Sequence, residues 1–266
     1  PLIVPNRRRP RWHDLRVADV VRLTDQAVAL TFDVPADLRD DFTFEPGQYV
    51  TLRTQIEGQD VRRSYSICMS RRAFAETGQL RVASARVAGG AMSNWLNDSA
   101  AQGQTVQVMS PMGDFVVPTD PDEARHHVAV AAGSGITPVL SLIATALDEE
   151  PQSQVTLIFG NKTPDSVMFS EELSVLEREY PGRFTLIHVL SQASPQEGVL
   201  TGRIDRDRMR SLLDDPVPAR DVDHWYVCGP HAMVLGVEDV LAEHDVPSER
   251  VHHEIFHLEE SVREGR

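Results

Sequence analysis

A chain of 266 residues, 41% hydrophobic and 25% charged, has the apolar material for one large or two ordinary domains. Its formal net charge of −14 at pH 7 argues against a nucleic-acid footprint and against attraction to anionic lipid. Cys68 and Cys228 are the only cysteines, which excludes a disulfide framework or a cysteine metal site, and no apolar run is long enough to span a bilayer. The expectation is a cytoplasmic enzyme with neither a membrane nor a nucleic-acid partner.

Residues 1–14 read as a solvated N-terminal arm carrying Arg7, Arg8, Arg9 and Arg11. From 15 to 120 the chain reads as short strands, at 15–23, 27–34, 48–55, 61–68, 80–87 and 105–109. Short strands separated by glycine turns (Gly78, Gly103, Gly113) predict an antiparallel barrel or sandwich. On the fourth of them, Arg63 and Tyr65 project to one face, and Ser64 and Ser66 to the other. A guanidinium forks onto phosphate, and a tyrosine ring covers a flat heteroaromatic face. Ser66 needs a local twist, or its backbone N–H, to reach the same ligand. Further on, Gly89 and Gly90 lead directly into Ala91, Met92 and Ser93, the start of a short helical pattern with Trp95 and Leu96. The unpaired N–H groups of such a helix start suit an anion.

Pro118, Pro121 and the charged residues 122–125 mark a boundary. Beyond it, across 121–257, strands at 128–131, 155–159, 184–190, 224–228 and 251–256 alternate with helical patterns at 139–147, 167–180, 205–213 and 232–244. That alternation predicts an α/β doubly wound parallel sheet, which binds ligands beyond the carboxyl ends of its strands. The first strand runs into Gly133, Ser134, Gly135, Ile136, Thr137 and Pro138. This is a tight turn and helix start fit to hold a pyrophosphate, although the third glycine of the usual dinucleotide fingerprint is missing. Asn161 and Lys162 follow the second strand, where the adenosine ribose would lie; Lys162 leans toward NADP without deciding it. Cys228, Gly229 and Pro230 end the fourth strand at the same ligand edge, with no base placed for nucleophilic catalysis. His252 and His253 alternate faces on the last strand, so no metal is expected there or with His257.

Taken in order, R-S-Y-S at 63–66, G-G-A-M-S at 89–93, G-S-G-I-T-P at 133–138 and C-G-P at 228–230 resemble the ferredoxin–NADP reductase superfamily across nearly the whole chain. The P-G-Q-Y of 46–49 resembles that family's turn before the flavin strand. The resemblance implies a Greek-key β-barrel for FAD at 15–120 and an NAD(P)-binding domain at 121–257, then a tail or linker at 258–266. It also implies roles. Arg63 holds the FAD pyrophosphate, Tyr65 packs on the isoalloxazine, and Ser66 bonds near its N5. Gly90, Met92 and Ser93 hold FAD phosphate. Gly133 to Thr137 cradle the nicotinamide dinucleotide, and Cys228 and Gly229 lie by the nicotinamide. Glu254 and Phe256 approach the flavin from the last strand.

Residues 160–172, G-N-K-T-P-D-S-V-M-F-S-E-E, resemble the reductase components of multicomponent oxygenases, of the phenylacetyl-CoA epoxidase and 3-ketosteroid 9-hydroxylase type. The implied reaction passes a hydride from NADH or NADPH to FAD, then single electrons to an iron–sulfur partner that serves a terminal oxygenase. The ferredoxin cysteine spacing is absent from this sequence, so the 2Fe–2S centre is expected in a partner protein or in a C-terminal domain outside it. Ala85 departs from the lysine many relatives carry before the position of Arg86. Two other readings stay open on the residues alone: a flavin-free NAD(P)-dependent dehydrogenase, and a regulatory subunit that binds nucleotide without turnover.

Overall fold

The computed structural model describes residues 10–194 and 198–256. Arg7, Arg8, Arg9, His257 and the expected tail at 258–266 lie outside the described residues.

Six antiparallel strands form the first unit: β1 (Trp12–Thr24), β2 (Ala27–Asp33), β3 (Tyr49–Ile56), β4 (Gln59–Ser66), β5 (Gln79–Ala85) and β6 (Thr105–Met109). Their order is β4-β3-β6-β1-β2-β5, so β6 crosses back between β3 and β1 in the Greek-key manner. The two edge strands meet where Ile67, just past β4, bridges Val82 on β5. Alternation along β2 explains its burial on both faces. Val28, Leu30 and Phe32 enter the barrel core, while Ala27 and Ala29 join an apolar cluster that continues into the second unit.

β1 begins at Trp12, inside the stretch expected to be arm, because Trp12 pairs with Met109. A short helix absent from the sequence reading, α1 (Arg71–Thr77), follows β4. The Ser70 hydroxyl caps it by accepting from Ala73 N–H at 3.2 Å, and Gly78, at φ +66°, ends it. α2 (Ala91–Asp98) stands where the paired glycines predict a helix start.

The second unit is a parallel sheet of β7 (His126–Ala132), β8 (Gln154–Asn161), β9 (Phe184–Leu190), β10 (Val199–Thr201), β11 (His224–Gly229) and β12 (Val251–Ile255), ordered β10-β9-β8-β7-β11-β12. The chain winds outward from β7 in both directions, which puts the switch point at the carboxyl end of β7. On one face lie α3 (Ile136–Glu149) and α4 (Ser170–Glu179), packed with Ala129, Ala131, Leu157 and Phe159. On the other lie α5 (Arg206–Asp214) and α6 (His231–Glu243), packed with Val128, Val130, Ile158 and Trp225. α4 starts at Ser170, three residues later than its apolar pattern suggests. A 3-10 turn at Pro164–Ser166 and a left-handed Phe169, at φ +60°, come first. β10, three residues long, is too short for periodicity to reveal.

The barrel and the sheet share an apolar seam. Ala27, Ala29, Cys68, Ala83, Phe115 and Val117 from the first unit belong to one cluster with Val139, Leu142, Val167, Met168 and Phe169 from the second. Polar bonds cross it too. The Arg71 guanidinium reaches Glu149 on α3 and its backbone N–H reaches Thr145 at 3.2 Å, while Glu45 (2.7 Å) and Thr119 hold the same guanidinium from its own side. Far from the switch point, Glu150 closes α3 with a fully buried carboxylate. His127 Nε2 donates to it at 2.7 Å, and the Ser153 hydroxyl (2.7 Å) and Asp120 N–H (3.0 Å) do the same. Burial works to raise its pKa, but these donors outweigh it and hold the carboxyl down to about 2.

Candidate functional site

Residues of the motifs meet at the carboxyl ends of β7, β11 and β12. Gly133 takes φ +53°, with open space where a side chain would begin. Gly135 is the opposite case: a Cβ there would lie 2.2 Å from the carbonyl oxygen of Cys228 and 3.0 Å from Gly229 N. The turn therefore presses directly on the Cys228–Gly229 peptide. The 3-10 turn Gly133–Gly135 runs straight into α3, with Ile136 N–H donating to Gly133 O and Ser134 O, so the helical start that faces an anion is the glycine turn itself. The Thr137 hydroxyl, 2% exposed, donates to Ser134 O at 3.0 Å and so braces the turn. Ile136 and Pro138 are buried beneath it.

Cys228 is paired in register with Ala131 on β7 and Glu254 on β12. Burial, reinforced by the Glu254 charge, pushes its thiol well above the usual range, so it is a neutral wall group rather than a nucleophile. Glu254 keeps Oε2 buried with no hydrogen-bond partner among the described residues, and burial pushes its carboxyl up to about 7. Phe256 N–H donates to Gly229 O at 3.0 Å, which docks the last described residue beside the glycine. Pro230 opens α6. At the adjoining end of β8, Asn161 Nδ2 is buried without a partner among the described residues, and Lys162 is exposed. Ser191 and Gln192 N–H groups hold the carbonyls of Asn161 and Lys162, at 3.0 and 2.8 Å.

On the barrel, β4 is an edge strand of its sheet. Arg63 and Tyr65 lie opposite Leu52 and Val50 and share one face, as alternation predicts. Arg63 is exposed and Tyr65 half-buried against the barrel core. Ser64 bonds Thr51 on the other face at 3.0 Å, and Ser66, 5% exposed, lies opposite Tyr49. At α2, Gly89 takes φ +74° with open space beside it, and Gly90 leads the helix without a side-chain cap. Ala91 is exposed, whereas Met92 is 1% exposed and sits in the barrel core, leaving only its backbone for a ligand. The Ser93 hydroxyl accepts from Val87 N–H at 3.1 Å and donates to Gly90 O at 3.3 Å, so it shapes the glycine loop.

One bond between the two halves was all but invisible in the sequence. Ser141, one turn past Thr137 on α3, donates to Met69 O at 2.7 Å and is fully buried. A helix rooted in the glycine turn thereby holds the chain three residues beyond Ser66. A hydroxyl on the buried face of an apolar helix is the only sequence signal it carries. His252 leans on His224 (3.3 Å) and His253 on Glu238 (2.5 Å), so the two histidines do serve opposite sides of the strand. Among the described residues no helix is long and apolar enough to cross a membrane.

A barrel edge with an arginine–tyrosine–serine strand, bound to the switch point of a parallel sheet, defines a two-domain flavin and nicotinamide oxidoreductase. Residues 14–117 match the oxidoreductase FAD-binding domain family, and residues 129–239 the oxidoreductase NAD-binding domain family. The chain is 39% identical over 245 residues to a component of the 1,2-phenylacetyl-CoA epoxidase of Escherichia coli, covering 92% of this chain and 68% of that one. It is 37% identical over 258 residues to the 3-ketosteroid-9-alpha-monooxygenase ferredoxin reductase component of Mycobacterium tuberculosis, covering 93% and 66%. It thus spans about two thirds of each relative's length. Its fold superposes on an Amycolatopsis cytochrome P450 reductase with a TM-score of 0.76 at 28% identity, covering 94% and 72%. A Neisseria gonorrhoeae ferredoxin NADP+ reductase, at 18% identity and TM-score 0.74 over 92% and 98%, shares the fold.

The chain belongs to the ferredoxin–NADP reductase superfamily and is an FAD- and NAD(P)H-dependent oxidoreductase. Its residues fit both groups: an α2 start without a side-chain cap, a glycine turn open at Gly133 and closed to any side chain at Gly135, and, among the described residues, unpartnered buried polar atoms on Asn161 and Glu254.

Proposed function

We propose that this chain is the reductase component of a multicomponent oxygenase, drawing hydride from NADH or NADPH and delivering single electrons to a 2Fe–2S ferredoxin protein or domain. FAD, when bound, accepts electrons as a pair and releases them singly, chemistry that no side chain supplies. The observation that carries the reading is the Ser141–Met69 bond, because it fixes the nicotinamide turn relative to the strand of Arg63, Tyr65 and Ser66. The monooxygenase relative is a ferredoxin reductase component, which supports a ferredoxin acceptor.

In this reading Arg63 forks onto the FAD pyrophosphate, with the N–H groups of Ala91 and Met92 at the start of α2, while Gly90 N–H donates to Val87 O at 3.0 Å and fixes the loop. Gly89 keeps the approach open and Ser93 holds the loop in shape. Tyr65 covers the flavin ring, and Ser66 donates a hydrogen bond at its reacting edge. Gly133, Ser134 and Gly135 cradle the dinucleotide, with Asn161 and Lys162 at its ribose end. Cys228 and Gly229 form the wall behind the nicotinamide. Phe256 excludes water from the mouth, and Glu254 holds a proton there near neutral pH.

The test is the visible spectrum of the purified chain under anaerobic conditions. A flavin spectrum bleached by NADH or NADPH supports the reductase. A colourless protein favours a flavin-free dehydrogenase, and a spectrum indifferent to both nucleotides favours a regulatory role.

A further inference from the structure

Residues 160–172 carry the resemblance to the oxygenase reductases, and in the proposed reading only Asn161 and Lys162 of them lie at the ribose end. The other end of the segment crosses to the barrel. Arg81 on β5 meets it there: Nη1 bonds Glu172 Oε1 at 3.0 Å, and the guanidinium lies 5.3 Å from the centre of the Phe169 ring. The same guanidinium turns back on its own unit, with Nε and Nη2 donating to Cys68 O at 3.2 and 2.9 Å. Cys68 lies two residues beyond Ser66. One planar side chain therefore grips both the end of the strand proposed to carry the flavin and the start of α4, and a lysine could not reproduce the fork.

Phe169 makes the grip specific. Its φ of +60° is a conformation that L-residues adopt at a cost, so surrounding contacts must over-determine it. Those contacts are the apolar seam: the ring is 1% exposed in the cluster that joins Cys68 and Ala83 of the barrel to α3 and α4. Ser141 holds Met69 O on the next peptide. Two consecutive carbonyls just past Ser66 are thus pinned, one from β5 and the α4 segment, one from α3.

We propose that Arg81, with Phe169 and Glu172, is a positioning clamp that fixes the nicotinamide domain against the flavin strand. It acts through the mutual placement of the two rings and touches neither. The functional part rests on the hydride-transfer reading above; the mechanical part does not.

The experiment uses the full chain with spin labels at Val21→Cys and Leu235→Cys, side chains 46% and 43% exposed on opposite units, while native Cys68 and Cys228 are buried. Pulsed dipolar spectroscopy gives the distance distribution between the units. The clamp predicts one narrow distribution, broadened or shifted in both Arg81→Met and Glu172→Gln, with no further change in the double variant. A distribution unchanged in Arg81→Met overturns the clamp. In the unlabelled holoenzyme, Arg81→Met is expected to keep its flavin content and nucleotide affinity. It should lose most of the long-wavelength charge-transfer absorbance of stacked nicotinamide and flavin, and reduce flavin about tenfold more slowly. Arg81→Lys should recover only part of either signal. A variant that is merely less heat-stable, with that absorbance and rate intact, overturns the positioning role. A wild-type flavin that no nucleotide bleaches overturns the functional reading alone, and the distance measurement then decides the clamp.

Discussion

Replacing Gly135 by alanine tests the site at its tightest point. The added Cβ would stand 2.2 Å from Cys228 O and 2.6 Å from its carbonyl carbon, both backbone atoms with no rotamer to yield. Relief requires the start of α3 and the end of β11 to part by about 1 Å, since ordinary contacts begin near 3.4 Å. Overpacking of this kind costs roughly 1–3 kcal/mol of stability. A displacement of about 1 Å at reacting groups costs on the order of a hundredfold in rate. Stopped-flow reduction of bound FAD by NAD(P)H should therefore slow by about one to two orders of magnitude, with FAD still bound by the barrel. Gly133→Ala is the control: it strains a φ of +53° but meets no atom within 4 Å. It should lower stability by about 1–2 kcal/mol and slow reduction less. If Gly135→Ala reduces as fast as wild type, the glycine turn does not seat the nicotinamide.

The remaining predictions concern other residues. Glu254 binds a proton more tightly folded than unfolded, so its contribution to stability is present below pH 4.5 and lost as pH rises toward 7. Glu254→Gln should remove that decline in urea titrations across the interval, and a decline of equal size in the variant would assign it elsewhere. Glu150 has the opposite sign: its contribution holds above pH 4.5 and fades as pH falls toward 2. Glu150→Gln should cost about 1–3 kcal/mol at neutral pH by leaving buried donors poorly paired, and equal neutral-pH stability would contradict it. Ser66→Ala should slow flavin reduction while FAD stays bound; rates equal to wild type would remove Ser66 from the mechanism.

Much of the fold could be read from period alone. Alternating runs gave the barrel strands, and the run–glycine–helix unit at 128–147 gave the switch point, because both patterns reflect burial of one face or two. What escaped was local or long-range. α1 is marked only by Ser70 and Gly78 at its ends, a signature of capping rather than hydrophobicity. Phe169 sits in a helical apolar pattern, yet the seam with the barrel pulls it into a left-handed turn and delays α4. The motif residues of the sheet converge because they all end parallel strands on one edge. Ser141 showed only as a hydroxyl on an apolar helix face, and Arg71 and Arg81 carried no signal, since each of the three bonds a residue 72 to 91 positions away.

The most direct measurement of the central claim is the rate at which NAD(P)H deuterated at the transferred position bleaches the bound flavin. Direct passage of hydride between nucleotides stacked at the mouth of β7 predicts a rate clearly slower than with protium, under anaerobic single-turnover conditions. Equal rates in an enzyme shown to be limited by flavin reduction, or a chain that holds no flavin, would contradict it.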